Sequence, residues 1–356
     1  MMKSSLQHLL CKTVLLLTAF FGLCSSCNPP QPTPNPITTG VLVLNQGNFQ
    51  LNNSTITFYD LATGLITDDA FRVTNGRGLG DTGNDLKIYG SKLYCVVNNS
   101  HRVEVMDAKS LQSIMAISLS GKSPRNIAFH EGKAYVSCFD GDVVRIDTAT
   151  LTVDGTVRCG ENPEGLCVCN NKIYVANSGG LNYPNYDSTI TVIDINSFSV
   201  VKTIPVSINP CLVIPYNDRY VFVQSRGNYG DIPYNLYKID TYSDNVVKTY
   251  NINVLGMAIH QHTAYIYSYD YDNGDSWIRT LNLLNDQLST EDFITDGTSL
   301  DAPYCITVNP ISGDVYISDA YNFTVTGDVY CFSAQGKKKF SFPVGVNPGS
   351  IVFKQE

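Results

Sequence analysis

The sequence predicts an all-β protein, a seven-bladed β-propeller that its C-terminal strand closes into a ring. A strand-like segment recurs seven times along the chain, at the spacing of ~40 to 50 residues that is typical of propeller blades. Turns that begin with aspartate follow most copies, and prolines introduce most of the segments that we expect to line the ring. Of the 356 residues, 43% are hydrophobic and only 16% are charged, which favours a large repeated core with polar loops.

The N-terminal segment, residues 1–26, is predicted to be a lipoprotein signal peptide. Lys3 and Lys12 precede an apolar run that is too short for a membrane span of ~20 residues, and this order is typical of a cleaved export signal. The small residues before Cys27 resemble the lipobox of bacterial lipoproteins, which implies acylation of Cys27, although Cys24 stands where leucine is usual. A plain signal peptide and a retained anchor are the alternatives.

A linker is predicted over residues 27–38, because its prolines favour an extended, stiff chain over a helix or a central strand. The propeller domain then occupies residues 39–356. The net charge of −8, with no basic cluster, argues against nucleic acid as a partner.

The second strand of every blade is predicted from β-branched or aromatic residues in partial alternation, a pattern typical of a buried strand. Its seven copies occupy residues 41–45, 93–97, 134–138, 173–177, 220–224, 264–268 and 315–319. In five blades an aspartate starts the turn after the third strand, because its side chain accepts hydrogen bonds from backbone amides two residues on. These aspartates are Asp60, Asp107, Asp147, Asp194 and Asp240, with Asn282 and Phe332 at that place in blades six and seven.

The innermost strand of five blades is predicted to begin with a proline, since the first residue of a strand need not donate to the ladder. These prolines are Pro124, Pro163, Pro210, Pro303 and Pro348. The first blade lacks an innermost strand of its own, and the last such segment, residues 350–353, has no blade after it. We therefore predict that the C-terminal strand completes blade one and leaves no open edge.

Two motifs of the repeat carry a resemblance to a known family. Residues 174–177 are Tyr-Val-Ala-Asn, and residues 146–148 are Ile-Asp-Thr. On these motifs the chain resembles the YncE-like, surface-layer type of β-propeller over residues 39–353. The resemblance implies the fold and leaves the activity open, because propellers host many unrelated functions.

Loops of unequal length divide the predicted ring into two faces. The loops from the second to the third strand, and those from blade to blade, emerge on one face, here called the upper face. Several are long, at residues 46–54, 178–188, 225–235, 269–276 and 320–327, whereas the hairpins of the opposite, lower face are minimal. Long loops gathered on one side of a rigid scaffold indicate the functional side.

The long loops interleave aromatic residues with asparagines, a composition that can cover a flat organic ligand and satisfy its polar rim. The predicted ligand-binding aromatic residues are Phe49, Tyr183, Tyr186, Tyr229, Tyr234, Tyr271, Trp277 and Tyr321. The alternative is that these rings only pack the loops onto the propeller.

Polar residues that follow the innermost prolines are predicted to converge at the mouth of the central channel. The predicted binding residues there are Asn84, Arg125 and Tyr304, joined on the same face by Arg77, His101 and Arg226. An arginine can bind a phosphate or carboxylate, or can simply be solvated, and a lone histidine is more often a surface residue than a base. Asp85, Asn126 and Glu164 could hold a divalent cation, as in propeller lactonases, but bonding to channel water is favoured.

Reactive chemistry has little support in the sequence. The cysteines of the propeller lie mostly in predicted strands and are interpreted as buried apolar side chains rather than a disulfide framework. Cys167 and Cys169 lack a second pair at the spacing that zinc requires. Zinc-helix, nucleophile-elbow and glycine-loop motifs are absent, so the sequence favours a binding protein over an enzyme and predicts no cofactor or metal.

One branch of such lipoprotein propellers, which the chain resembles, captures cobalamin at the cell surface. The resemblance implies a corrinoid (vitamin B12) ligand on the upper face, a TonB-dependent outer-membrane transporter as partner, and attachment to the outer membrane through the lipid anchor. The cell surface is the expected side, and the periplasmic side stays open. The alternatives are another ligand or a protein partner at the envelope, or a metal-dependent lactonase or lyase that uses Glu164.

Overall fold

Seven four-stranded antiparallel sheets make up the computed structural model of the chain, which describes residues 36–356. Each sheet is one blade, and blade one combines the first three strands of the chain with the last. The strands of blades one to four are β1 (Thr38–Asn45), β2 (Thr55–Asp60), β3 (Ile66–Thr67), β4 (Gly83–Tyr89), β5 (Lys92–Val97), β6 (Arg102–Asp107), β7 (Ser113–Ser118), β8 (Pro124–His130), β9 (Lys133–Cys138), β10 (Asp142–Asp147), β11 (Thr152–Arg158), β12 (Pro163–Cys169), β13 (Lys172–Asn177), β14 (Thr189–Asp194) and β15 (Ser199–Pro205).

The later blades repeat the same order of four strands. The strands of blades five to seven and the closing strand are β16 (Pro210–Tyr216), β17 (Tyr220–Ser225), β18 (Asn235–Asp240), β19 (Asn245–Tyr250), β20 (Gly256–His260), β21 (Thr263–Tyr269), β22 (Ser276–Asn282), β23 (Gln287–Leu288), β24 (Pro303–Val308), β25 (Val315–Asp319), β26 (Thr326–Phe332), β27 (Lys338–Val346) and β28 (Pro348–Gln355). The innermost strand of every blade contacts the innermost strands of both neighbouring blades, so the sheets form a ring. The predicted seven-bladed β-propeller is confirmed.

The ring closes through β28, which pairs with β1 as the innermost strand of blade one. Val41 lies opposite Phe353 and Val43 opposite Ile351, and the backbones of Ile37 and Glu356 exchange two hydrogen bonds of 3.0 Å. The chain enters the ring at the lower end of β1, where Thr38 Oγ1 donates to Asn309 Oδ1 in the lower hairpin of blade seven (3.2 Å). Both strand edges of the blade-one seam are therefore paired, as the sequence predicts.

The hydrophobic core lies between neighbouring blades. The cluster between blades one and two joins Leu42, Leu44 and Ile56 to Leu93 and Val97, all fully buried. Alternate residues of each central strand face the two adjoining blades, which is why these strands are apolar nearly throughout. The core is thus divided into repeated inter-blade layers.

The local signals of the repeat act as predicted. All five prolines are the first residues of innermost strands. The turn aspartates accept hydrogen bonds from backbone amides, as Asp107 Oδ1 does from Lys109 N (3.1 Å) and Ser110 N (2.8 Å). In blade six Asn282 accepts in the same way from Leu284 N (2.9 Å).

Two blades depart from four full strands. The outer strands of blades one and six, β3 and β23, contain only two residues each. After β3 the chain forms the helix α1 (Ala70–Asn75), which Asp69 caps at its N-terminus and Gly76, at φ 67°, caps at its C-terminus. The helix contacts β2 and buries Phe71 in the core between blades one and two.

The predicted signal peptide, Cys27 and the linker up to residue 35 lie outside the described residues. Within residues 36–356, no helix is both long and apolar enough to cross a bilayer. In the same range all eight cysteines are unpaired thiols, and all but Cys159 lie in strands. Burial raises the pKa of most of them, for example to about 12 for Cys305.

Candidate functional site

The long connections gather on the upper face, around the mouth of the central channel. The second-to-third-strand connections of blades one, four, five, six and seven occupy residues 46–54, 178–188, 226–234, 270–275 and 320–325, whereas those of blades two and three are tight turns. The upper face is therefore built up on one side of the ring and low over blades two and three.

Aromatic rings from neighbouring loops pack edge to face along the built-up side. In blades four and five, the ring centroids of Tyr183 and Tyr186 are 6.0 Å apart, those of Tyr186 and Tyr229 are 6.3 Å apart, and those of Tyr229 and Tyr234 are 6.3 Å apart. Such contacts hold rings in fixed orientations while leaving their edges available. Tyr183 and Tyr229 remain mostly exposed.

A second group of rings continues this arrangement over blades six and seven. The centroids of Tyr269 and Tyr271 are 5.0 Å apart, those of Tyr271 and Phe323 are 5.9 Å apart, and those of Phe323 and Tyr304 are 6.0 Å apart. A cavity of about 230 Å³ separates the two groups, with Tyr229 and Tyr234 on one side and Tyr269 and Tyr271 on the other. We call the whole set the aromatic arc: Tyr183, Tyr186, Tyr229, Tyr234, Tyr269, Tyr271, Tyr304 and Phe323.

A second cavity, of about 330 Å³, opens at the mouth of the channel and is called here the mouth cavity. Its rim follows the repeat, because the second residue of each innermost strand lines it. These residues are Asn84, Arg125, Glu164, Cys211, Met257, Tyr304 and Gly349. The seven equivalent positions thus carry seven different side chains, and the rim is chemically asymmetric.

Arg125 and Glu164 neutralise each other on this rim. Arg125 Nε and Nη2 donate to the two Glu164 carboxylate oxygens (2.9 and 3.0 Å), and Nη1 donates to Asn84 Oδ1 (2.6 Å). The guanidinium also lies over the ring of Phe139, 4.3 Å from its centroid. A bidentate pair of this kind is rigid and leaves neither charge free.

Arg226 is arranged differently. It begins the loop after β17, and its backbone N–H is held by the Asn209 carbonyl (2.9 Å). Its side chain lines the mouth cavity, and its buried Nε has no hydrogen-bond partner among residues 36–356. The nearby Cys211 sulfur, together with the Tyr229 phenol, raises the pKa of Arg226 above its ordinary value against the opposing effect of burial, so the side chain stays cationic.

Tyrosine hydroxyls add neutral polar groups to the same region. Tyr304 donates to Gln46 Oε1 (2.7 Å), and the Tyr229 hydroxyl accepts from Asn209 Nδ2 (3.3 Å). Burial raises the pKa of both Tyr234 and Tyr304 to about 12. The arc therefore offers uncharged phenols at neutral pH.

The acidic residues near the mouth, Asp85 and Glu164, bind groups of the protein itself. Asp85 accepts from the backbone N–H of Ile127 (3.1 Å) and pairs with Lys87 (3.3 Å), and Glu164 is held by Arg125. In the part of the chain that the structure describes, no three potential ligands converge as a metal site would require. The carboxylates act as structural partners of neighbouring side chains.

Two residues predicted for the ligand site belong elsewhere. Arg77 lies on the flank of blade two, where it pairs with the fully buried Glu104 (2.5 Å) and bonds Ser113 (3.0 Å). Trp277 lies in β22 rather than in a loop and packs against the core between blades five and six, with Arg279 over its ring. In both cases the position of the side chain depends on a partner that is distant in sequence.

Three further predicted residues lie on the upper face away from the mouth cavity. Tyr321 directs its hydroxyl to Asp328, within blade seven. His101 sits in the tight turn of blade two, where Nδ1 donates to the Lys122 carbonyl (2.6 Å). Phe49 is exposed at the tip of the blade-one loop.

Gln46 and Cys211 also line the mouth cavity, and neither is among the residues predicted from the sequence. Cys211 could have been found, because it follows Pro210 as Arg125 follows Pro124 and Glu164 follows Pro163. Gln46 directly follows β1 and carries no comparable positional signal.

Comparisons with known proteins support this architecture. Residues 39–353 match the family model described as domain of unknown function DUF5074. The search of curated protein sequences returned no match.

Several solved structures are similar. A quinonprotein alcohol dehydrogenase-like protein from Bacteroides thetaiotaomicron is 18% identical, covers 90% of this chain and 79% of its own, and has a TM-score of 0.66. Hydrazine synthase from Kuenenia stuttgartiensis is 16% identical, with 75% of this chain and 88% of its own covered and a TM-score of 0.62. The computationally designed Ika8 protein is 10% identical, with 77% and 96% covered and a TM-score of 0.56. At these identities the likeness concerns the fold alone.

Proposed function

We propose that this chain, which belongs to the DUF5074 family, is a non-enzymatic ligand-binding lipoprotein of the cell envelope that captures a corrinoid on its upper face. The observation that supports this proposal is the aromatic arc on the built-up side of the ring, which reaches the mouth cavity through Tyr271 and Tyr304. A corrinoid is large, has apolar faces, and is edged with carboxamides. Aromatic rings suit the faces, while tyrosine hydroxyls and asparagine amides suit the edge.

The sequence resemblance supports the same ligand. The chain resembles the YncE-like propellers through residues 146–148 and 174–177, and one branch of such lipoproteins captures cobalamin. We further propose that Cys27 is acylated, that the protein is attached to the outer membrane at the cell surface, and that it passes its ligand to a TonB-dependent transporter. Phe49 and Leu51 in the blade-one loop are exposed apolar side chains outside the arc, and we propose that such a partner contacts them.

A direct binding measurement tests the ligand. The chain without its predicted signal peptide, carrying Cys27→Ser so that it stays unacylated, is mixed with cyanocobalamin and separated by gel filtration. We expect the red chromophore to elute with the protein at micromolar concentration. A colourless protein peak would refute the corrinoid proposal.

Two tyrosines of similar exposure make the test specific to the arc. Tyr271 is 58% exposed within the arc, and Tyr242 is 73% exposed in a turn of the lower face. Removing a ring that contacts the ligand costs about 1.4 to 3 kcal/mol, which is roughly a tenfold to 150-fold loss of affinity. We expect that loss for Tyr271→Ala and none for Tyr242→Ala, and equal effects would exclude the arc as the binding surface.

A further inference from the structure

Arg226 carries an uncompensated positive charge at the mouth cavity. Of the charged side chains that line this cavity in the described part of the chain, Arg125 and Glu164 bond each other, whereas Arg226 forms no ion pair. Its guanidinium Nε is buried and unpartnered. The mouth therefore has a net charge of about +1, located at a group with five hydrogen-bond donors.

Arg226 is half-buried, and its Nε is withdrawn from solvent without a hydrogen-bond partner in the described residues. Withdrawing part of a cation from water costs free energy unless an opposite charge or acceptors replace the lost hydration. The neighbouring groups do not supply that replacement. Cys211 directs its thiol to Asn209, at 3.4 Å from the carbonyl oxygen and 3.3 Å from Oδ1, and the Tyr229 hydroxyl is bonded to the same asparagine. Glu164 is the nearest carboxylate of the rim, and Arg125 already holds both of its oxygens.

We propose that the mouth cavity is an oxyanion subsite, in which Arg226 binds a singly charged phosphate ester or carboxylate of the ligand while the aromatic arc covers its organic body. The planar guanidinium matches two oxygens of such a group at once, which a lysine ammonium does not. One positive charge favours a monoanion, and a phosphodiester is the phosphate group that carries one charge at neutral pH. This proposal rests on the proposed function in one respect, because it takes the charged group and the organic body of the ligand to bind together on the upper face.

Corrinoids with and without a phosphodiester provide a thermodynamic cycle. Cobalamin carries its nucleotide through a phosphodiester, and cobinamide lacks this group. Affinities of both are measured for the unacylated chain, for Arg226→Gln, and for Arg219→Gln, whose arginine lies on the lower face beside Asp240. Loss of a hydrogen bond to a charged group lowers the affinity about tenfold to 150-fold.

The expected result is a preference of this size for cobalamin over cobinamide in the parent chain and in Arg219→Gln. In Arg226→Gln the preference should fall to nearly one, through loss of cobalamin affinity alone. An unchanged preference in Arg226→Gln would overturn the subsite even if both corrinoids bind the protein.

A second measurement separates this proposal from the corrinoid proposal. If neither corrinoid binds, calorimetric titration with diphenyl phosphate and with benzoate tests the oxyanion site alone, and their relative affinities distinguish a phosphodiester from a carboxylate. Binding of either compound that is lost in Arg226→Gln supports the subsite, and binding of neither overturns it.

Thermal stability distinguishes a binding role from a structural one. Because the Arg226 side chain forms no ion pair within residues 36–356 and its Nε is buried without a partner, Arg226→Gln should leave the melting temperature unchanged or raise it. A clear decrease in melting temperature would mean that the guanidinium stabilises the fold instead.

Discussion

Ring closure by the C-terminal strand leads to a quantitative prediction for Ile351. This side chain is 5% exposed and packs in the seam core with Val43 and Phe342. Truncating a buried isoleucine to alanine costs about 2 to 4 kcal/mol, as lost burial plus the cavity left behind. A propeller of roughly 320 residues has an unfolding entropy of about 0.7 kcal/mol per kelvin, so Ile351→Ala should lower the melting temperature by about 3 to 6 °C.

Ile37 provides a matched control on the same seam. It is the same residue type and bonds Glu356 through its backbone, but its side chain is 60% exposed. Ile37→Ala should therefore change stability by less than about 0.5 kcal/mol, or less than about 1 °C. Differential scanning calorimetry of both variants makes the comparison. Equal shifts would contradict the conclusion that burial of β28 against β1 holds the ring closed.

Two other features give predictions of definite sign. Tyr174 and Tyr94 are both fully buried, but Tyr174 donates to Asp244 Oδ1 (2.5 Å) in the next blade, while the Tyr94 hydroxyl has no partner among the described residues. In urea denaturation, Tyr174→Phe should lose about 1.5 to 3 kcal/mol and Tyr94→Phe should be neutral or stabilising, and the reverse order would refute the assignment. Hydrogen bonds from the Ser110 backbone and hydroxyl lower the pKa of Asp107 in the folded protein. The ionised carboxylate therefore stabilises the fold above about pH 4, the ordinary pKa of an unfolded aspartate, and this contribution is lost as the pH falls through the folded-state pKa. Asp107→Asn keeps a hydrogen-bond acceptor but removes the charge, so its free energy of unfolding should be lower than that of the parent at neutral pH and equal to it in acid. A difference that does not change with pH would contradict this dependence on ionisation.

Much of the fold could be predicted from the sequence because the same short sequence signals for strand starts and turns recur in successive blades. Pro210 and Pro303 mark the first residue of an innermost strand, and Asp107 and Asp240 mark the turn after a third strand. Each signal is local and occurs in five blades, so several weak signals together give one strong prediction. The closing role of residues 350–353 follows by counting strands, since blade one otherwise lacks an innermost one.

The departures could not be predicted because they depend on contacts between distant residues. Helix α1 has recognisable caps in Asp69 and Gly76, but only packing of Phe71 against the adjoining blades explains why six residues form a helix. The charge of Arg77 predicts a place at the ligand face, but Glu104, which is 27 residues away in sequence, holds it on the flank of blade two. The position of Trp277 next to a long loop predicts a loop aromatic, but the strand that contains it turns the ring towards the core.

The candidate site likewise combines features that local sequence predicts with features that depend on contacts between distant residues. The composition of the upper loops predicts aromatic rings near the mouth, and the structure places five of the eight predicted loop rings in the arc: Tyr183, Tyr186, Tyr229, Tyr234 and Tyr271. The sequence could not show which charges at the mouth cancel, because Arg125 and Glu164 are 39 residues apart and meet only when blades three and four pack side by side. The distinction between Arg125 and Arg226 therefore depends on the three-dimensional arrangement.

The position of the blade-one seam places both ends of the propeller chain on one face. Ile37 and Glu356 bond each other at the lower end of β1, on the face opposite the aromatic arc. An affinity tag or a fluorescent fusion placed after Glu356 would therefore start on the lower face and leave the aromatic arc unobstructed.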